Sequence, residues 1–154
     1  MGAHAKYAPS DSDRWLSCDA ALSEFPKLGG EDTVYSLEGT NAHQLLEDCL
    51  LEGADPSSYI GTELFEKATG KFAGKPELDS VVSKDMADHI QAVQLYIYDR
   101  FENGYPNDEC QLWTEAKVEI NALCSGTMDV ALYWSKAKVL EVIDLKYGRG
   151  VIVS

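Results

Sequence analysis

The apolar residues of this chain change their spacing once, between residues 104 and 114, and that change decides which elements it can build. Val82, Met86, Ile90, Val93, Ile97 and Phe101 recur at intervals of three and four, which lays them along one helical face. From Thr114 to Ile120 apolar and polar residues alternate instead, the period of a half-exposed strand. The chain therefore carries helices first and strands after.

Other segments fit the same order. Ser10 and Asp13 have the spacing of a helix N-cap and its capping-box acid, and Trp15, Cys18 and Leu22 follow at helical intervals up to Pro26 and Gly29-Gly30. A second helix is expected to start at Gly39-Thr40, with Thr40 as N-cap, and to run through Ala42, Leu45, Leu46, Cys49 and Leu50, ending at Gly53 and Asp55-Pro56. That start places His43 in the first helical turn, with Glu47 one turn later on the same side. Residues 53–79 are rich in glycine and proline and read as a loop. The long helix spans residues 80–104 and stops at Asn103-Gly104. Residues 111–154 hold the strands: 114–120, 127–134 and 139–146, the last two joined by a polar turn at 135–138. The whole is read as one domain, 154 residues being one domain's worth.

Composition narrows the partners. Of the chain, 45% is hydrophobic, enough for a core, and no apolar run reaches the length of a membrane span. The first residues lack the apolar stretch of a secretory signal, so the expected location is the cytoplasm. The net charge of −13 argues against indiscriminate coating of nucleic acid. It leaves room for a nuclease, because carboxylates that hold metal ions are counted while the cations are not. Cys18, Cys49, Cys110 and Cys124 include no C-x-x-C pair and read as buried or free thiols.

The last two strands pose an electrostatic problem. With a four-residue turn at 135–138, Trp134 lies opposite Val139, and counting outward sets Asp129 opposite Asp144. Lys146 projects from the same face as Asp144. Two opposed carboxylates repel, and relief comes from protonation, from a slipped register or from a cation held between them. A cation suits Mg²⁺ or Mn²⁺, with Lys146 beside it to orient a water or steady a phosphate. The competing arrangement is a surface Lys146–Asp144 ion pair with Asp129 solvated.

Four segments in order resemble the PD-(D/E)XK nuclease superfamily, in its RecB-like branch near the YqaJ-type phage exonucleases. Residues 10–18, SDSDRWLSC, resemble an S-x-x-x-R-W-x-x-C helix, and Glu38 to His43 resembles E-G-T-x-A-H. Gly126 to Asp129 resembles G-T-x-D, and Ile143 to Gly148 resembles (I/V)-D-x-K-x-G. The resemblance implies an α/β (α+β) fold with a mixed central sheet, flanking helices and a restriction-endonuclease-like core. It implies Asp129, Asp144, the Leu145 backbone carbonyl and His43 as ligands of Mg²⁺ or Mn²⁺, and Lys146 as the catalytic lysine. The implied reaction is hydrolysis of a DNA phosphodiester that leaves a 5′-phosphate, in phage or prophage recombination or DNA end processing. Glu38 at the helix start, Glu47 and Glu115 are supporting candidates; Arg149 is a candidate phosphate contact.

Relatives of this kind usually continue from the D-x-K strand into a Q-x-x-x-Y helix, whereas eight residues follow Lys146 here. The core is thus expected to be incomplete at its C-terminus, with an exposed apolar face and possible self-association. Gln94 to Tyr98 carries the same string upstream and reads as coincidence. Cys18 stands where some relatives place the first cysteine of a 4Fe–4S cluster, but the other three do not match, so no cluster is expected. DNA is the expected partner, with a homo-oligomer or a recombination protein as further candidates. The alternative is a non-catalytic, nuclease-like module that binds a recombination or host-nuclease protein, a reading that the acidic charge favours.

Overall fold

Gly53, in a left-handed conformation at φ 66°, ends one long helix, and Ser83 begins the next. In the computed structural model, which describes residues 12–18, 34–66, 71–72, 81–121 and 123–148, the helices are α1 (Ser12–Ser17), α2 (Val34–Glu52) and α3 (Lys84–Asn103). The strands are β1 (Phe65–Glu66), β2 (Lys71–Phe72), β3 (Cys110–Asn121), β4 (Cys124–Trp134) and β5 (Val139–Ile143). The architecture is α+β.

The Ser83 hydroxyl accepts from the Met86 amide at 3.1 Å, Asp85 lies in the first turn of α3 and Arg100 in the last, each suited to the helix dipole. Val82, Met86, Ile90 and Ile97 are buried as the periodicity predicts, with Ala87 buried beside them, whereas Phe101, at the end of the stripe, is exposed. Gly104 stops the helix, though in the right-handed region. Its missing side chain is required for another reason: a Cβ there would meet the Trp134 ring at 2.6 Å and the Arg100 carbonyl oxygen at 2.5 Å.

Helix α2 begins six residues before the expected N-cap. Thr40 is inside it, His43 is mid-helix, and Glu38 is a helical residue beyond the first turn. Gly39, which read as part of a helix start, sits instead where α2 passes the Tyr147 carbonyl oxygen, 3.7 Å from where a Cβ would be. Ala42, Leu45, Leu46 and Cys49 are buried. Burial also pushes the Cys49 thiol up to about 12. The four cysteines are free thiols. Gln94 is buried, and its amide donates to the carbonyls of Cys49 (3.3 Å) and Ala54 (3.0 Å), tying α3 to the end of α2. The Q-x-x-x-Y string thus has a structural task.

Of the expected loop at 53–79, the described residues, 53–66 and 71–72, hold regular structure. Asp55 accepts from the Ser57 amide at 2.8 Å and caps a 3₁₀ turn at Pro56–Tyr59. β1 and β2 form a short hairpin, and Glu63 bridges Val81.

The expected mixed sheet is also corrected: among the described residues β3, β4 and β5 form an antiparallel sheet in that order. Tight connections can join only antiparallel neighbours, since a parallel pair needs a crossover of a dozen or more residues. Val130, Leu132 and Trp134 of β4 join α2 and α3 in a single core. Arg100 of α3 lies over the Trp134 ring at 5.6 Å and grips Glu141 of β5, Nη2 to Oε2 at 2.8 Å. The 135–138 turn has Lys138 at φ 55° and is held by the Asp108 carboxylate, which accepts from the Lys136 and Ala137 amides at 2.9 Å. The last strand stops at Ile143, shorter than the predicted 139–146. No helix among the described residues is long and apolar enough to cross a membrane.

Candidate metal centre

Strand pairing brings the key acids to one level. The register runs Thr114↔Val130 and Ala116↔Met128, so Glu115 and Asp129 oppose each other at a step where the ladder drops a pair. A register shift between Glu119 and Asn121 sets up this opposition. Without it, counting back from Asn121↔Cys124 would set Ala116 opposite Asp129.

Glu115 adopts φ 47°, a left-handed conformation rare outside glycine, asparagine and aspartate. At this step Asp129 and its neighbour Val130 both serve the helix side, where Val130 joins the core and Asp129 meets His43.

His43, from the middle of α2, sits between the two acids. Its Nδ1 is 3.5 Å from Asp129 Oδ1 and 3.8 Å from Glu115 Oε1. One ligand atom from each of the three residues lies within 4.8 Å of the others. The Asp129 carboxylate, then that of Glu115, favours the imidazolium over the opposing effect of burial and pushes His43 up to about 10. Asp129 has a side chain only 13% exposed. Burial raises its carboxyl, but His43 and the Leu145 amide, 2.6 Å from Oδ2, outweigh that and hold it below the ordinary value. The D-x-K segment is thereby fastened to the cluster through its backbone N–H.

The remaining candidates fall elsewhere. Pairing of β4 with β5 ends at Val130↔Ile143, one step short of Asp129 and Asp144. Trp134 does face Val139, as counted from the turn. Asp144 instead meets Lys146 at 2.7 Å, their side chains 60% and 82% exposed, and this contact holds the ammonium above its ordinary value. That surface pair was the competing arrangement; Asp129, however, is not solvated. Glu47 accepts from the Gln44 amide at 3.1 Å and is not part of the cluster. Arg149 lies outside the described residues, as do Ser10 and the Pro26–Gly30 stretch. Glu115, a supporting candidate in the sequence, is here a full member of the cluster.

One imidazole nitrogen and two carboxylates, carried on a helix and two strands, form a donor set of the kind that holds a divalent cation. Three protein ligands would leave positions for water and a substrate oxygen. The molecule is thus an α+β protein with a candidate divalent-metal centre on its sheet. The chain belongs to the family described as "Protein of unknown function (DUF2800)", whose model matches residues 4–154. No solved structure matches it.

Proposed function

We propose that this protein is a metal-dependent DNA nuclease of the PD-(D/E)XK kind, with a restriction-endonuclease-like core, acting as an exonuclease in DNA end processing. The observation that carries this reading is the approach of His43, Glu115 and Asp129 to within 4.8 Å, fastened to the D-x-K segment through the Leu145 amide. The imidazole suits Mn²⁺ better than Mg²⁺, while the carboxylates suit both. Such an ion, when bound, would polarise a phosphodiester and lower the pKa of a bound water. His43, Glu115 and Asp129 would hold it. Lys146, on a largely exposed and readily opened ion pair, would steady the phosphate or orient the water.

The test is Mn²⁺-dependent digestion of linear and circular DNA, with Lys146→Ala as control. Loss of digestion in the variant with Mn²⁺ binding intact is expected. A rate unchanged by that substitution overturns the assignment of Lys146, and absence of digestion by the native chain overturns the enzyme. One observation favours a second reading, a non-catalytic module: Asp144 and Lys146 face each other outside the three-residue cluster. Mn²⁺ binding without cleavage of any DNA is the outcome that selects it.

A further inference from the structure

A hollow of about 350 Å³ opens between α3 and the end of β5. Ala92 and Val93 of α3 form one side, Ile143 and Leu145 the other; His89 and Tyr96 stand along it, and Asp144 and Lys146 also line it. Its volume is at the small end of ligand pockets, and its lining is largely apolar and aromatic. The His89 ring meets the Tyr147 ring edge-on at 5.3 Å, so a second aromatic residue of the D-x-K segment adjoins the hollow.

Its position bears on the candidate metal centre. Leu145, a buried residue, borders the hollow, and its amide is bonded to Asp129, so a single residue joins the hollow to the cluster. Lys146 lines it in an exposed ion pair with Asp144 at 2.7 Å, and a phosphate that displaces that carboxylate would meet the ammonium. Aromatic walls with an amine alongside are what a nucleotide needs: a π-face for the base and a cation for its phosphate. A base in a duplex is stacked on both faces and paired along its edge, so it can enter such a hollow only when unpaired.

We propose that the hollow between α3 and the end of β5 receives one unpaired nucleobase next to the phosphate under attack, so that the substrate is a single-stranded or frayed DNA end. This rests on the nuclease reading above and adds to it the state of the DNA end. The His89 ring offers the stacking surface, Ala92, Val93 and Ile143 the apolar contact, and Lys146 the charge.

The test compares Mn²⁺-dependent cleavage of three linear DNAs of one sequence, with a blunt end, a terminal mismatch and a single-stranded tail. The native chain is expected to cleave the mismatched and tailed ends at least about tenfold faster than the blunt end, the scale of one base–aromatic stack. Ala92→Trp fills the hollow from an exposed position on α3. It is expected to bring the three rates together while Mn²⁺ affinity is unchanged. His89→Ala removes the stacking ring and is expected to act in the same direction, which keeps the test alive should the tryptophan variant misfold. In stopped-flow, 2-aminopurine at the terminal position is expected to change fluorescence before cleavage in the native chain and not in Ala92→Trp. Equal rates on all three ends, or a preference that both variants leave intact, overturns the hollow as a base site with the nuclease reading standing. Failure to cleave any of the three overturns both.

Discussion

Glu115 and Asp129 oppose each other across β3 and β4 at a step where the ladder drops a pair, with His43 facing both carboxylates. Two acids so placed repel each other, and the imidazole between them, favoured in its charged form by both carboxylates, offsets that repulsion. A divalent cation bound there would take over that charge balance, with His43 releasing its proton to become a ligand. That exchange yields the first prediction. Asp129→Ala and Glu115→Ala are each expected to weaken Mn²⁺ binding by more than about 100-fold, beyond the range of about 10–100-fold typical of residues that only support a ligand. Asp144→Ala is expected to weaken it less than fivefold, because Asp144 lies outside the cluster. Calorimetric titration with Mn²⁺ measures all three. A loss in Asp144→Ala equal to that in Asp129→Ala would mean that the aspartate swings inward on binding.

The backbone at Glu115 makes a second prediction. A non-glycine residue at φ 47° carries strain of about 1 kcal/mol that glycine would not. Glu115→Gly is therefore expected to be about 1 kcal/mol more stable than Glu115→Ala in urea unfolding, while both lose metal affinity alike. Equal stabilities would show that the strand does not store strain at this position.

Arg100 and Glu141 supply the pH dependence. The Arg100 guanidinium, against the opposing effect of burial and with a smaller contribution from the Tyr96 hydroxyl, holds the Glu141 carboxyl below its ordinary value. A carboxyl lowered on folding contributes stability that is fully present above its unfolded pKa of about 4.3 and disappears as pH falls through the lower native value. Glu141→Gln is expected to cost about 1–3 kcal/mol at pH 7 and to differ little from the native chain at pH 2. Thermal unfolding across that range checks it.

Gly104→Ala tests the contact between the end of α3 and the sheet. Either the Trp134 ring or the helix end must shift to admit a Cβ, and overpacking of this kind costs about 1–3 kcal/mol. A corresponding fall of several degrees in Tm is expected. A variant as stable as the native chain would mean that the helix end moves freely against the ring.

Much of the fold was legible because it rests on local periodicity and turn chemistry. The spacing of Met86, Ile90 and Ile97 gave α3 its buried face, and the turn at 135–138 set Trp134 opposite Val139. Gly39-Thr40 misled, since a glycine that reads as a helix boundary is here inside α2, where the helix passes the Tyr147 carbonyl. The Asp129–Asp144 opposition was counted correctly from the turn but goes unrealised, because β5 ends at Ile143 and the Leu145 amide turns to Asp129.

By itself the sequence determined α2, α3 and the run of strands after them, and the last hairpin's register, since these follow from residues close along the chain; His43, Asp129 and Glu115 became candidates through the resemblance to the nuclease superfamily, and the short β1 and β2 between α2 and α3 went unread. Which acid faces which was decided only in three dimensions. An irregularity between Glu119 and Asn121 moves β3 by one residue against β4, and with side chains alternating every residue that single step puts Glu115, rather than Ala116, opposite Asp129.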